Sequence, residues 1–143
     1  MKEKYICAVP FMSLEVHDRK RFLCCASWLT KYLPEDLNVK ESFESKEAND
    51  IRDSILDGSY KYCDSQQCPF LHQLETFGEI GMVGPLYSKD KIPTRLKSQI
   101  ENHKNGNISP DTIQFSFDRT CNLKCPSCRV SLFTADKKKI DEV

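Results

Sequence analysis

Eight cysteines in a chain of 143 residues are the side chains whose chemistry most needs an account. They fall into two groups. Cys121-Asn122-Leu123-Lys124-Cys125-Pro126-Ser127-Cys128 is a Cys-x3-Cys-x2-Cys triplet, and Cys7, Cys24, Cys25, Cys63 and Cys68 are spread over the first half. Thiolates this close together can cap three corners of a cubane iron–sulfur cluster, because so short a loop wraps a compact body. A [4Fe–4S] cluster normally takes four cysteines, so a triplet leaves one iron open to another ligand. Structural zinc closes its tetrahedron with four protein ligands, and a lone triplet suits it less well.

The surroundings favour metal over disulfides. The N-terminus, MKEKYICAVPFMSLEVH, has its apolar part interrupted by Pro10 and Glu15, with no small-residue cleavage site after it. It does not read as a secretory signal, and the expected location is cytoplasmic. In a reducing cytosol, closely spaced cysteines are more often ligands than bridges. Lys plus Arg and Asp plus Glu both number 21, and apolar residues make up 39%. Without a basic excess, nucleic-acid binding is not expected. A mean hydropathy of −0.53 and the lack of a long apolar run argue against a membrane span.

The elements that must position these thiols are partly legible. Met12, Leu14 and Val16 alternate with polar residues before a turn at Asp18-Arg19-Lys20, which predicts a β-hairpin continuing into Phe22-Leu23. Ala48, Ile51 and Ile55 share one face of a predicted helix over Lys46 to Leu56, with Gly58 to stop it. A second helix is predicted from Pro93 to about Lys104, carrying Leu96 and Ile100 on one face. Ile113, Phe115 and Phe117 alternate with polar residues as a strand that runs into the cysteine triplet. Another helix is expected to begin near Thr134. Gly78, Gly81, Gly84 and Pro85 mark a turn-rich stretch between the two halves.

Strand followed by SFDRTCNLKCPSCR closely resembles the first strand and cluster loop of the radical S-adenosylmethionine (radical SAM) enzymes. The resemblance implies that Cys121, Cys125 and Cys128 ligate a [4Fe–4S] cluster whose open iron binds S-adenosylmethionine. In that family, reductive cleavage of the sulfonium yields a 5′-deoxyadenosyl radical that abstracts hydrogen from substrate; the hard chemistry is the cofactor's.

The first region resembles the SPASM domain and its shortened twitch form, an auxiliary iron–sulfur module usually attached to radical SAM enzymes. The matching residues are Cys7, the RFLCC run, and FESKEANDIRDSILDGSYKYCDSQQCP. The resemblance implies Cys7, Cys24, Cys63 and Cys68 as ligands of a second [4Fe–4S] cluster, with Cys25 the spare of its pair. The sequence does not decide between Cys24 and Cys25. The alternative is that the four cysteines close one structural Zn²⁺ site.

Together these readings give an α+β protein. Residues 1–71 form a SPASM/twitch-like auxiliary domain, 72–110 a helical connector, and 111–143 the opening of an incomplete (β/α) barrel. A full barrel takes about 250 residues, whereas 15 follow Cys128, so the chain reads as the N-terminal piece of a longer radical SAM oxidoreductase. Alone it is expected to bind clusters without turnover. A small electron donor such as flavodoxin or ferredoxin is the implied partner, with a peptide or small molecule as substrate. The alternative is a non-catalytic, zinc- or cluster-stabilised protein-binding module. His17 and His103 read as solvated, His72 as a substitute ligand near Cys68, and Trp28 as either core packing or a cluster shield.

Overall fold

The computed structural model describes residues 2–17, 20–25, 28–78 and 84–116. The cysteine triplet, Phe117 and the helix expected near Thr134 lie outside these residues. The architecture is α+β. A 3-10 turn at Lys2–Lys4 leads into β1 (Tyr5–Cys7), α1 (Val9–Met12), β2 (Ser13–His17) and β3 (Lys20–Phe22). Helices α2 (Val39–Glu44), α3 (Lys46–Leu56) and α4 (Pro69–Phe77) follow, then β4 (Leu86–Ser88), α5 (Thr94–Lys104) and β5 (Thr112–Ser116). Among the described residues no helix is long and apolar enough to cross a membrane.

The local reasons for these helices are visible in their caps. Asn38 starts α2 through a reciprocal box: its side chain accepts from the Glu41 amide at 2.9 Å, while the Glu41 carboxylate accepts from the Asn38 amide at 3.0 Å. Ser45 ends α2 and starts α3, its hydroxyl donating to Ser42 O at 2.8 Å and accepting from the Ala48 amide at 3.2 Å. Helix α3 then buries Ala48, Ile51, Arg52, Ser54 and Ile55. Gly58 follows it at φ +83°, where a Cβ would stand 2.6 Å from the Glu3 Cα, so glycine is required there twice over.

Two small sheets flank this helical core. Strand β1 pairs antiparallel with β4, Cys7 opposite Leu86. The second sheet has the order β3-β2-β5. The hairpin β2–β3 is the one the alternation predicts, with His17 opposite Lys20 and Glu15 opposite Phe22. Strand β5 lies parallel to β2 in the register Ser13↔Thr112 to His17↔Ser116. A parallel pair needs a long crossover, and here the crossover contains all of α2 to α5.

Helix α5 holds the entry to β5 in place. Gln99 donates to Ser109 O at 3.0 Å and to the Asp111 carboxylate at 2.6 Å, while Arg95 Nε donates to the same carboxylate at 2.7 Å. The Asp111 amide then donates to Met12 O at 2.8 Å. His103 is not solvated as expected. Its side chain is 7% exposed and packs edge-on against Phe11, with Nε2 2.7 Å from the Asp53 carboxylate.

On the outer face of α3, Asp50 accepts from Lys31 and from Lys46, and these bonds hold its pKa down to about 2. A carboxylate held below its unfolded value stabilises the fold above that value, and the gain disappears as pH falls through the folded one. The urea midpoint of the wild type should therefore exceed that of Asp50→Asn at pH 6, and the two should converge by about pH 2. A constant difference across that range would refute the linkage.

Candidate metal centre

Four chain segments converge on one cavity behind β1. Cys7 is the last residue of β1, and Cys24 follows the end of β3. Cys63 lies in the loop after α3, where it makes an isolated antiparallel bridge with Leu29. Cys68 is the N-cap of α4, with Pro69 at the first helical position, where its missing N–H costs nothing. The loop is pinned on both sides of Cys63, because the Thr30 amide donates to Tyr62 O at 2.9 Å and the Asp64 amide to Trp28 O at 2.8 Å.

Cys7, Cys24, Cys63 and Cys68 all line this cavity, which encloses about 20 Å³. Its remaining wall is apolar, built from residues such as Leu29, Ile55, Leu71 and Leu86. Trp28 and Phe70 also line it, with ring centroids 6.0 Å apart at 80°. Trp28 thus packs against Phe70 at the cavity wall. Cys25 does not line the cavity, and neither does His72, which is exposed. The structure therefore separates the adjacent pair that the sequence leaves undecided: Cys24 is 8% exposed and lines the cavity with the other three thiols. None of the five described cysteines is in a disulfide.

Burial dominates the electrostatics. It pushes the thiols of Cys7 and Cys63 up to about 12 and that of Cys24 well above the ordinary thiol range. Neighbouring thiols add to the effect: Cys63 and Cys68 raise Cys7, Cys68 raises Cys63, and Cys7 raises Cys24. Two amides act in the other direction, Val9 N–H toward the Cys7 sulfur and Cys25 N–H toward Cys24. Four anionic sulfurs in an apolar wall repel one another and lose hydration, so without a cation the group is stable only when protonated. A metal centre supplies the missing charge and displaces the protons on binding.

The donor set fits an iron–sulfur cluster: four thiols, dry walls, and amide N–H groups directed at two sulfurs. Among the described residues, no group of three or more His, Cys, Asp or Glu could hold one metal ion. Cys121, Cys125 and Cys128 lie outside the described residues. The strand that leads to them is placed, however. Ser116, five residues before Cys121, lies beside His17 at the far end of β2. Strand β3 runs back the other way, so Cys24 emerges toward the Ser13 end.

No family model, curated protein or solved structure matches this chain.

Proposed function

We propose that the chain is an iron–sulfur protein of the radical SAM type. In this reading Cys7, Cys24, Cys63 and Cys68 hold an auxiliary [4Fe–4S] cluster, and Cys121, Cys125 and Cys128 hold a second one with an open iron for S-adenosylmethionine. Residues 111–143 open an incomplete (β/α) barrel that supplies the second site. The observation that carries the reading is the meeting of four thiols, from segments up to 61 positions apart, at one apolar cavity. When bound, such centres supply one-electron chemistry, and the triplet site would add reductive cleavage of S-adenosylmethionine.

The residues of this chain have three tasks in that scheme. The four buried sulfurs ligate as thiolates and release their protons on loading. Val9 and Cys25 amides donate toward two sulfurs, which moderates the charge on the cluster and shifts its potential. Trp28 and Phe70 keep water off it. A small electron donor such as flavodoxin or ferredoxin would supply electrons.

The test is iron and acid-labile sulfide analysis after anaerobic reconstitution, with and without S-adenosylmethionine. Two cubanes predict about eight iron and eight sulfide per chain, with a reduced-state spin-resonance signal that shifts when S-adenosylmethionine is added. Cys125→Ala should abolish that shift and lower iron to about four per chain. About four iron with no shift in the wild type would leave the auxiliary centre alone. Stoichiometric zinc without sulfide would replace the radical reading with a zinc-stabilised binding module.

A further inference from the structure

Tyr60 carries a backbone conformation that its side chain disfavours. Its φ is +51°, and among the described residues it is the one non-glycine with a left-handed φ. A bulky aromatic residue rarely adopts that region, and such outliers persist where the surroundings over-determine them, often at ligand clamps. Tyr60 is 2% exposed and lines the cysteine cavity.

Its contacts explain why the conformation is held. The Tyr60 amide donates to Ser54 O at 2.8 Å, which fixes the residue to the last turn of α3. Its carbonyl accepts from the Cys63 amide at 2.9 Å. At its other end, the phenol donates to Tyr5 O at 3.0 Å, and the Cys7 amide faces the phenol oxygen. That oxygen occupies a strand-like position. In β1 the Ala8 amide, just past the strand, bonds to Pro85 on the β4 side, so Tyr5 and Cys7 direct their backbone groups to the opposite edge. No strand covers that edge among the described residues; a single phenol hydroxyl does.

We infer that Tyr60 is a clamp that sets the spacing between Cys7 and Cys63, and thereby the geometry of the four-thiolate centre. The inference rests on the auxiliary-centre reading above. One residue reaches two ligand-bearing segments from opposite ends, its carbonyl on the Cys63 loop and its hydroxyl on the Cys7 strand. The left-handed φ lets the backbone turn toward Cys63 while the ring still extends to β1. Tyr60 touches ligand residues through their backbones, so its part is to position them.

Tyr60→Phe isolates the clamp, because it keeps the ring and removes the one atom that joins β1. The full chain should be reconstituted anaerobically, then challenged with a chelator while metal release is followed. Partners that orient metal ligands typically affect affinity by 10- to 100-fold, so release from Tyr60→Phe should be at least about tenfold faster. The spin-resonance line shape of the reduced centre should change as well. Ile51→Val, a core variant away from the cavity, controls for general destabilisation and should change neither readout. Tyr60→Gly relieves the backbone but removes the ring, and should release metal at least as fast as Tyr60→Phe. Wild-type release and line shape in Tyr60→Phe would overturn the clamp while leaving the centre intact. Zinc without sulfide in the wild type would defeat the cluster reading, and zinc release from Tyr60→Phe would then decide the clamp. A wild type that retains no metal removes both.

Discussion

Cys24→Ala will lower the reconstituted iron content from about eight to about four per chain, and Cys25→Ala will leave it unchanged. The contrast is sharp because the two residues are adjacent and chemically identical. Only one of the pair joins the cavity. Cys24 does so, beside Cys7, Cys63 and Cys68. Its removal leaves this centre one protein ligand short in an apolar wall, and His72, exposed and outside the lining, is not placed to substitute. Iron and sulfide analysis of both variants checks the expectation. Equal loss from the two, or loss from Cys25→Ala alone, would show that the cavity is not the metal site.

The second large effect is on stability and comes from Arg52, which has no solvent exposure. Its Nε donates to Pro10 O at 2.8 Å, and its Nη1 donates to Phe43 O at 2.7 Å and to the Asn49 side chain at 3.0 Å. The guanidinium also lies 4.1 Å from the Phe43 ring centroid. Burial lowers the pKa of the group, yet these acceptors retain the charged form at neutral pH. One side chain thus joins α3 to α1 and α2. Arg52→Ala strips two buried carbonyls of their donor, at about 1–3 kcal/mol each, and opens a void where the stem packed. A loss of about 4 kcal/mol is expected in urea unfolding of the metal-free chain. Arg52→Met, which refills the volume without the donors, should lose less. A change below about 1 kcal/mol for Arg52→Ala would mean that water replaces the guanidinium.

Local signals made the longer elements legible. The apolar spacing of Ala48, Ile51 and Ile55 marks α3 to the residue, because one buried face at helical period leaves little choice. Pro93, Leu96 and Ile100 likewise mark α5, which starts one residue later at Thr94. The α4 helix was missed, although Pro69, the Leu71/Leu74 spacing and Gly78 carry its start, face and stop. Strands β1 and β4 span three residues each, too few for an alternation to register. Nothing local announces that β5 pairs with β2, and its apolar face remains partly open, with Phe115 50% exposed.

The site divides in the same way. The resemblance to the SPASM domain implied the four thiols, but the choice of Cys24 over Cys25 depends on where β3 stops and the chain bends. His103 looked solvated at a helix end because its partner, Asp53, is 50 residues away. Tyr60 has no sequence signal at all, since a left-handed tyrosine is held by its surroundings and not by its own preference.

The parallel pairing of β5 with β2 also has a consequence for how the chain is made. Thr112 emerges from the ribosome 99 residues after Ser13, its partner in the ladder. The β2–β3 hairpin closes locally and early, whereas the third strand of that sheet arrives only when nearly all the described chain has been synthesised. Throughout that interval β2 presents an open edge to the cell, beside thiols that are themselves still gathering. Unpaired edges invite pairing with other chains, and such intermediates are prone to aggregate. Late completion of this sheet makes the nascent chain, more than the finished one, the vulnerable form of the protein.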